Sequence, residues 1–407
     1  MIVAHLADLH LGFRAYHRLV AGEEGGSPRF NARERDVSLA FRAALDRLIE
    51  LRVDLVLIAG DVFHTVRPSN AAIADAFRQF ARFHEARPGT PVIIIAGNHD
   101  SPRAAETGSI LTLLQEIPNV TVVDREARVV EYPELDAAVL CLPHNALAGS
   151  SLGQLEPPTD AGINLLVMHA TVRGDEVDRL LGHASEFGGA QIDMDDIRVE
   201  RWDYVALGHY HIATQLAPNM WYAGAIERTS TNIWIETGPK GFVTWDTKKR
   251  RGAFHPVSTR PIVDLPRFSA RDSAGGFLDA GEVDTLIRER VDAVPGGIDD
   301  RIVRLVIDDV PRDLFREFDH RRLREYRSRA LHFHLDVRRP KRHRRSGTAR
   351  RQAPRAIEEE ARTFITEIWE PTAREVDREQ LAELALRYLA SAGLGPDEPL
   401  LDTAAGD

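Results

Sequence analysis

Short apolar runs that end in polar motifs recur along the first 215 or so residues, and this repetition restricts the possible folds more than any other feature of the chain. The runs are Ile2 to Ala7, Asp54 to Ala59, Pro91 to Ala96, Val120 to Asp124, Ala138 to Leu142, Leu165 to Met168 and Tyr204 to Leu207. They are brief, rich in β-branched residues and bounded by turn formers, as buried strands are. Helical spacing lies between the first three. Arg33 to Leu51 places Val37, Phe41, Ala44, Leu45 and Leu48 on one face, and Ser69 to Glu85 does the same with Ile73, Phe77, Phe80 and Phe83. Strand–helix alternation of this kind predicts a layered α/β domain.

Five of the runs lead into polar motifs: Asp8-Leu9-His10, Gly60-Asp61-Val62-Phe63-His64, Gly97-Asn98-His99-Asp100, His169 and Gly208-His209-Tyr210-His211. Loops at the carboxyl ends of strands in an α/β sheet converge on one crevice, so the five sets are expected to meet. Within a strand, residues i and i+2 point the same way, which predicts a shared side for Asp8 with His10 and for His209 with His211. The donors are carboxylate, imidazole and one amide oxygen, with no thiolate. That set suits Mn(II), Fe(II) or Zn(II) and disfavours a structural cysteine-rich zinc site. Two cations about 3.5 to 4 Å apart need a bridging carboxylate and can clamp the attacking and leaving oxygens of a phosphate. Asp61 is the natural bridge, and Asp8, His10, Asn98, His169, His209 and His211 complete the candidate ligands. A lone histidine after a strand is usually structural; five motifs at matched positions reverse that expectation. His84, His183, His255, His332 and His334 lack the strand-end context and read as surface or packing residues. His5 lies inside the first strand, facing away from Asp8, and reads as structural. Tyr16, His17 and His144 are candidates to border a substrate groove.

At 407 residues the chain predicts two or three domains, and no stretch approaches the roughly 18 to 20 apolar residues that span a bilayer. The N-terminus lacks a basic region before its first acid and reads as a strand, not a signal peptide. The single cysteine, Cys141, sits in an apolar run and is expected in the core. Together these features fit a cytoplasmic protein. The net charge of −10 is unevenly spread, because His320 to Arg355 holds 14 Arg and Lys against two acids. That stretch can supply phosphate contacts. An aromatic stacking platform is not evident, so sequence-specific reading of a nucleic acid is not expected. The divisions expected are 1–258 for the motif-bearing domain, with short strands from Met220 to Val257, and 259–338 for a small α+β domain. A basic linker, 339–355, then leads to a helix pair, 356–392, broken at Pro371 and suited to docking a partner, and to a flexible tail, 393–407.

The motif set resembles that of the calcineurin-like metallophosphoesterases. More narrowly, Asp8-Leu9-His10-Leu11-Gly12, Phe63 and Gly224-Ala225-Ile226-Glu227-Arg228-Thr229-Ser230 resemble the nuclease subunits of SbcC–SbcD-type repair complexes. The resemblance implies a layered metallophosphoesterase β-sandwich flanked by helices, a small α+β capping domain and a helical C-terminal tail. It assigns one metal to Asp8, His10, Asp61 and His211, and a second to Asp61, Asn98, His169 and His209. It makes His99 the residue that contacts the scissile phosphate and protonates the leaving oxygen, with Asp100 orienting it and His64 as a second catalytic histidine. It implies a DNA nuclease of double-strand-break repair that uses two divalent ions, first Mn, to activate water. Such an enzyme would be a 3′-to-5′ exonuclease, with endonuclease action on hairpins or ends. It further implies homodimers through Ser38 to Leu48 and Ser69 to Phe83, and an SMC-like, SbcC-type ATPase bound by Ala356 to Ala392. The alternatives are a phosphodiesterase or phosphatase for small molecules, and a mainly architectural subunit of an ATPase complex.

Overall fold

The computed structural model describes residues 1–20, 30–102, 108–147, 153–158, 160–181, 189–340, 362, 364–369 and 377–392. Residues 1–340 form one compact unit, and residues 341–407 a second. The apolar runs do become strands, but they divide between two sheets. The first sheet is built from β1 (Ile2–Leu6), β2 (Leu55–Ile58), β3 (Val92–Ile95) and β4 (Val120–Val123), all parallel. The second holds β5 (Arg128–Tyr132), β6 (Ala137–Leu142), β7 (Ile163–His169), β8 (Tyr204–Gly208), β9 (Thr214–Ala217) and β10 (Met220–Tyr222). The chain then returns to the first sheet with β11 (Gly241–Asp246), antiparallel to β1, and β12 (Arg251–Pro256). The strand orders are β12-β11-β1-β2-β3-β4 and β9-β10-β8-β7-β6-β5.

The two sheets pack face to face. Val3, Leu57, Ile93 and Trp245 of the first meet Val139, Cys141, Val167 and Ala206 of the second in one buried cluster. The opposite face of the first sheet, with Ala4, Leu6, Val56 and Ile94, is covered by α1 (Ala32–Leu51) and α2 (Asn70–Ala86). Burial on both faces explains why these strands read as unbroken apolar runs and not as alternating ones. Both helices begin at a side-chain cap: the Asn31 side chain accepts the N–H of Arg33, and Ser69 accepts that of Ala72. Cys141 is buried as expected, and burial pushes its thiol up to about 12. His5 is structural, also as expected. It faces the inter-sheet core with Val3, within hydrogen-bonding reach of the Tyr204 hydroxyl (2.9 Å) and the Leu207 carbonyl (3.1 Å), and burial lowers its pKa to about 3.

A smaller parallel sheet follows, from β13 (Ile262–Ser269), β14 (Ile302–Asp308) and β15 (His332–Val337). The helices α3 (Ala280–Asp292) and α4 (His320–Arg329) bury Val283, Ile287, Leu323 and Tyr326 against one of its faces. The strand β13 was not legible in sequence, because Pro266 interrupts it. It sits at a sheet edge with a register shift between Leu265 and Phe268, where proline is tolerated. Several contacts fix this sheet to the sandwich. Ile302 and Leu331 bury against Ala32 and Ile233. Arg260 forms a two-pronged ion pair with Asp36 of α1, at 2.6 Å on each oxygen, while Asp36 also accepts from the buried Arg33.

Residues 341–355 of the expected basic linker and the expected tail, 393–407, lie outside the described residues. Of the expected helix pair, Arg378–Ala392 is helical, a single π-helical turn spans Phe364–Ile368, and most of 356–363 is likewise outside what is described. Among the described residues no helix is long and apolar enough to cross a membrane.

Candidate metal centre

All five polar motifs meet at the carboxyl ends of β1, β2 and β3 from one sheet and of β7 and β8 from the other. The loops after β1 and β2 run side by side: the N–H groups of Asp8, His10 and Leu11 donate to the carbonyls of Gly60, Asp61 and Val62, and His64 donates back to Leu11. The pairs Asp8/His10 and His209/His211 converge, though not through the strand pleat that the spacing suggested. Both strands have ended before these residues, and Asp8, His10, Asp61 and His209 have φ of 51°, 47°, 53° and 107°. Non-glycine residues rarely adopt such positive φ, and when they do the surrounding structure must enforce it. Close approach is also built into the glycines. A Cβ on Gly97 would stand 2.1 Å from Asp61 Oδ1, and one on Gly60 would stand 2.3 Å from His169 Nδ1.

The donor atoms fall into two groups, with Asp61 between them and Asp8 within reach of both. In the first, His10 Nε2 lies 3.0 Å from His211 Nε2 and 3.9 Å from Asp61 Oδ2. Asp8, His10 and His211 each offer a ligand atom within 4.8 Å of the others. In the second, Asn98 Oδ1 lies 2.9 Å from His169 Nε2 and 3.3 Å from His209 Nδ1, and His169 Nε2 lies 3.4 Å from Asp61 Oδ2. The other Asp61 oxygen accepts the His99 N–H at 2.8 Å. Asp8 accepts the His209 N–H.

The tautomers follow from the outer partners. His169 Nδ1–H donates to the Ala59 carbonyl at 2.8 Å, which leaves the Nε2 lone pair aimed inward. Burial holds His169 down at about 3, and burial with the neighbouring His211 and His99 holds His10 well below its ordinary value. Both rings are therefore neutral near pH 7, the form that ligates a cation. Buried carboxylates and neutral imidazoles in two clusters around a shared Asp61 fit two divalent cations of the Mn, Fe or Zn type.

The remaining sequence candidates are also near. His64 and His99 flank His10, with ring centroids 5.4 and 4.8 Å from it, and one nitrogen of each lies within 4.8 Å of a His10 nitrogen. The His99 ring is held by its Nδ1–H donating to the His64 carbonyl at 2.7 Å. The Asp100 carboxylate accepts from the backbone N–H groups of Val62, Phe63 and Gly97, which ties the β2 and β3 loops together. Burial and the nearby Asp61 charge raise its pKa to about 7. His144 stands at the edge of the site, its ring 6.5 Å from that of His169, whereas His17 is exposed.

Sequence reasoning missed the groups that hold His211. Glu236 and Lys240 are both buried and paired to each other, and Lys240 donates to the His211 carbonyl at 2.6 Å. Glu236 Oε1 stands 3.9 Å from His211 Nδ1. Burial alone would raise the Glu236 pKa, but His211 and Lys240 outweigh it and bring it to about 2. An i, i+4 pair in an irregular segment carries no signal that distinguishes it from a surface pair.

A sandwich of two six-stranded sheets with this centre at its strand ends defines a metal-dependent phosphoesterase, and residues 1–213 match the calcineurin-like phosphoesterase family model. The chain belongs to that family. Within it, the chain is 33% identical over 303 residues to the DNA double-strand break repair protein Mre11 of Archaeoglobus fulgidus, which covers 65% of this chain and 61% of that protein. It is 34% identical over 116 residues to the Mre11 of Methanocaldococcus jannaschii, covering 28% of each. It is 28% identical over 247 residues to the metallophosphoesterase YhaO of Bacillus subtilis, covering 58% of this chain and 55% of that one. The matches thus span from about a quarter to three fifths of these relatives' length.

Proposed function

We propose that this protein is a metal-dependent DNA nuclease of double-strand-break repair. The observation that carries the reading is the pair of donor clusters sharing Asp61, with His64 and His99 beside them, in a chain similar to proteins named for that repair. Asp8, His10, Asp61 and His211 would hold one divalent cation, and Asp61, Asn98, His169 and His209 the other, Mn being the first choice. When bound, such a pair polarises a phosphodiester and activates water for in-line attack. The protein's own groups do the rest. Asp61 is fixed by the His99 N–H, and Asp100 pins the loops that carry both residues. With Nδ1–H committed to the His64 carbonyl, a doubly protonated His99 carries its second proton on Nε2, where it can pass to the leaving oxygen. No side chain is required as a nucleophile.

The wider reading includes 3′-to-5′ exonuclease action with cleavage of hairpins or ends, and a cytoplasmic setting. Exposed Arg321, Arg324 and Arg327 on α4 support phosphate contact. Exposed Leu39 of α1 and Phe77 of α2 support a homodimer through those helices. The C-terminal segment, with its helix Arg378–Ala392, is the part proposed to dock an SMC-like ATPase. The test is to incubate the purified protein and Mn(II) with end-labelled duplex, hairpin DNA and a small chromogenic phosphodiester. Cleavage of DNA is expected; cleavage of the small ester alone would assign the site to small molecules.

A further inference from the structure

A groove of about 570 Å³ opens between the motif loops and the small three-stranded sheet. It runs from His64, beside the metal centre, to Arg304 and His334. His332 and His334, expected from sequence to be surface or packing residues, line it. They alternate along β15 with Phe333, which packs beneath α3 and α4, so the two histidines share the opposite face of the sheet. Tyr16, from the loop after β1, stacks on His332 with ring centroids 3.9 Å apart and 13° between planes. His334 continues the series, 6.0 Å from His332 and 27° from parallel. Beside His334, its register neighbour on β14, the Arg304 guanidinium lies 4.5 Å over the Trp234 ring. Among the described residues no acidic side chain lines the groove, although the chain carries a net charge of −10. Thr229, Ser230 and Thr231 add hydroxyls, and Arg33 and Arg228 further guanidiniums; Arg228 is held by the Glu236 and Gly238 carbonyls, and Arg304 by Asp264.

Three near-parallel rings, a guanidinium-capped indole, hydroxyls and arginines are the groups that grip single-stranded nucleic acid: bases stack, and sugars and phosphates take hydrogen bonds and charge. The volume suits a ligand of nucleotide size, in the range of roughly 300 to 1,000 Å³ for small-ligand sites, and does not admit a base-paired duplex. We propose that the groove is a subsite for the unpaired nucleotides of the strand being cut, whose bases extend the Tyr16–His332–His334 stack while the backbone passes His64 to the metals. The proposal rests on the nuclease reading and adds that a duplex end must fray to enter.

Steady-state cleavage in Mn(II) of a single-stranded oligonucleotide, a blunt duplex and bis(p-nitrophenyl) phosphate tests it. In the double variant His332→Ala/His334→Ala and in Trp234→Ala, KM for the single strand should rise at least tenfold relative to KM for the small diester. Tyr16→Phe keeps a stacking face and should match the wild type; Tyr16→Leu should not, and this pair carries the test if the histidine variant folds poorly. A KM ratio within twofold of wild type in the variants that fold would overturn the subsite. So would wild-type enzyme that binds blunt duplex as tightly as single strand. Wild-type enzyme that cuts the diester but no DNA would instead overturn the nuclease reading, and the subsite with it.

Discussion

Four of the seven candidate ligands, Asp8, His10, Asp61 and His209, sit in a backbone region that costs roughly 1 to 3 kcal/mol each for a non-glycine residue. Their neighbours pin them there. The Asp8 and His10 N–H groups are tied to the β2 loop, and Asp8 accepts the His209 N–H. Strain held this way places donor atoms before any cation arrives, so ligation need not reorganise the loops. Asp61→Asn, which keeps the shape and removes the shared charge, should reduce bound metal from two ions per chain to one or none and lower turnover at least a hundredfold; elemental analysis and ester hydrolysis read both. Gly97→Ala should mimic it, because the new methyl would meet Asp61 Oδ1. His99→Ala should lower turnover by roughly 10² to 10⁴, the usual share of a general acid, with metal content nearly intact. Loss of both metals in that variant would make His99 a ligand, a role its place in the cluster with His10 and His64 allows.

Elements of this protein are joined by a few buried polar contacts. His5 joins the two sheets as a neutral ring, its folded pKa of about 3 lying below the ordinary 6.5. The unfolded chain therefore binds the extra proton first. Stability is unaffected above pH 6.5 and falls as pH drops from 6.5 towards 3, by about 1.4 kcal/mol per unit for this one group. Denaturant midpoints between pH 7.5 and 4.5 should show the decline, and His5→Asn should be less stable at pH 7.5 but flatter across the range. At the small three-stranded sheet, Arg260→Ala would leave Asp36 with Arg33 alone. A cost of roughly 2 to 3 kcal/mol is expected, below the usual penalty for breaking a buried pair because Arg260 is partly exposed. The β13 strand that carries the next residues should then show faster amide exchange.

Across the whole molecule, charge and architecture are divided. The sandwich holds the metal centre, the small sheet closes one side of the groove, and the C-terminal segment forms a separate unit. A chain ending at Pro340 should retain its fold, metals and small-ester turnover while losing an ATPase partner. Co-purification of that truncated chain with the partner would refute the docking role.

The motifs themselves were legible, because ligand chemistry demands particular residue types and strand ends demand particular spacings. Helices α1 and α2 were legible through their apolar period, and the core position of Cys141 through its apolar run. Several things were not. Runs buried on both faces look alike whichever sheet they join, so the division of the five motifs between two sheets came only from packing. The left-handed turns that aim Asp8 and His10 depend on hydrogen bonds to a loop some fifty residues away, and the Glu236–Lys240 support of His211 on a fold that buries both. The ring series of Tyr16, His332 and His334 joins residues more than three hundred positions apart. Sequence by itself determined which atoms can bind metal, because that property belongs to single side chains. Only the tertiary structure decided which of them meet and what surrounds them, because those contacts are set by the packing of distant segments.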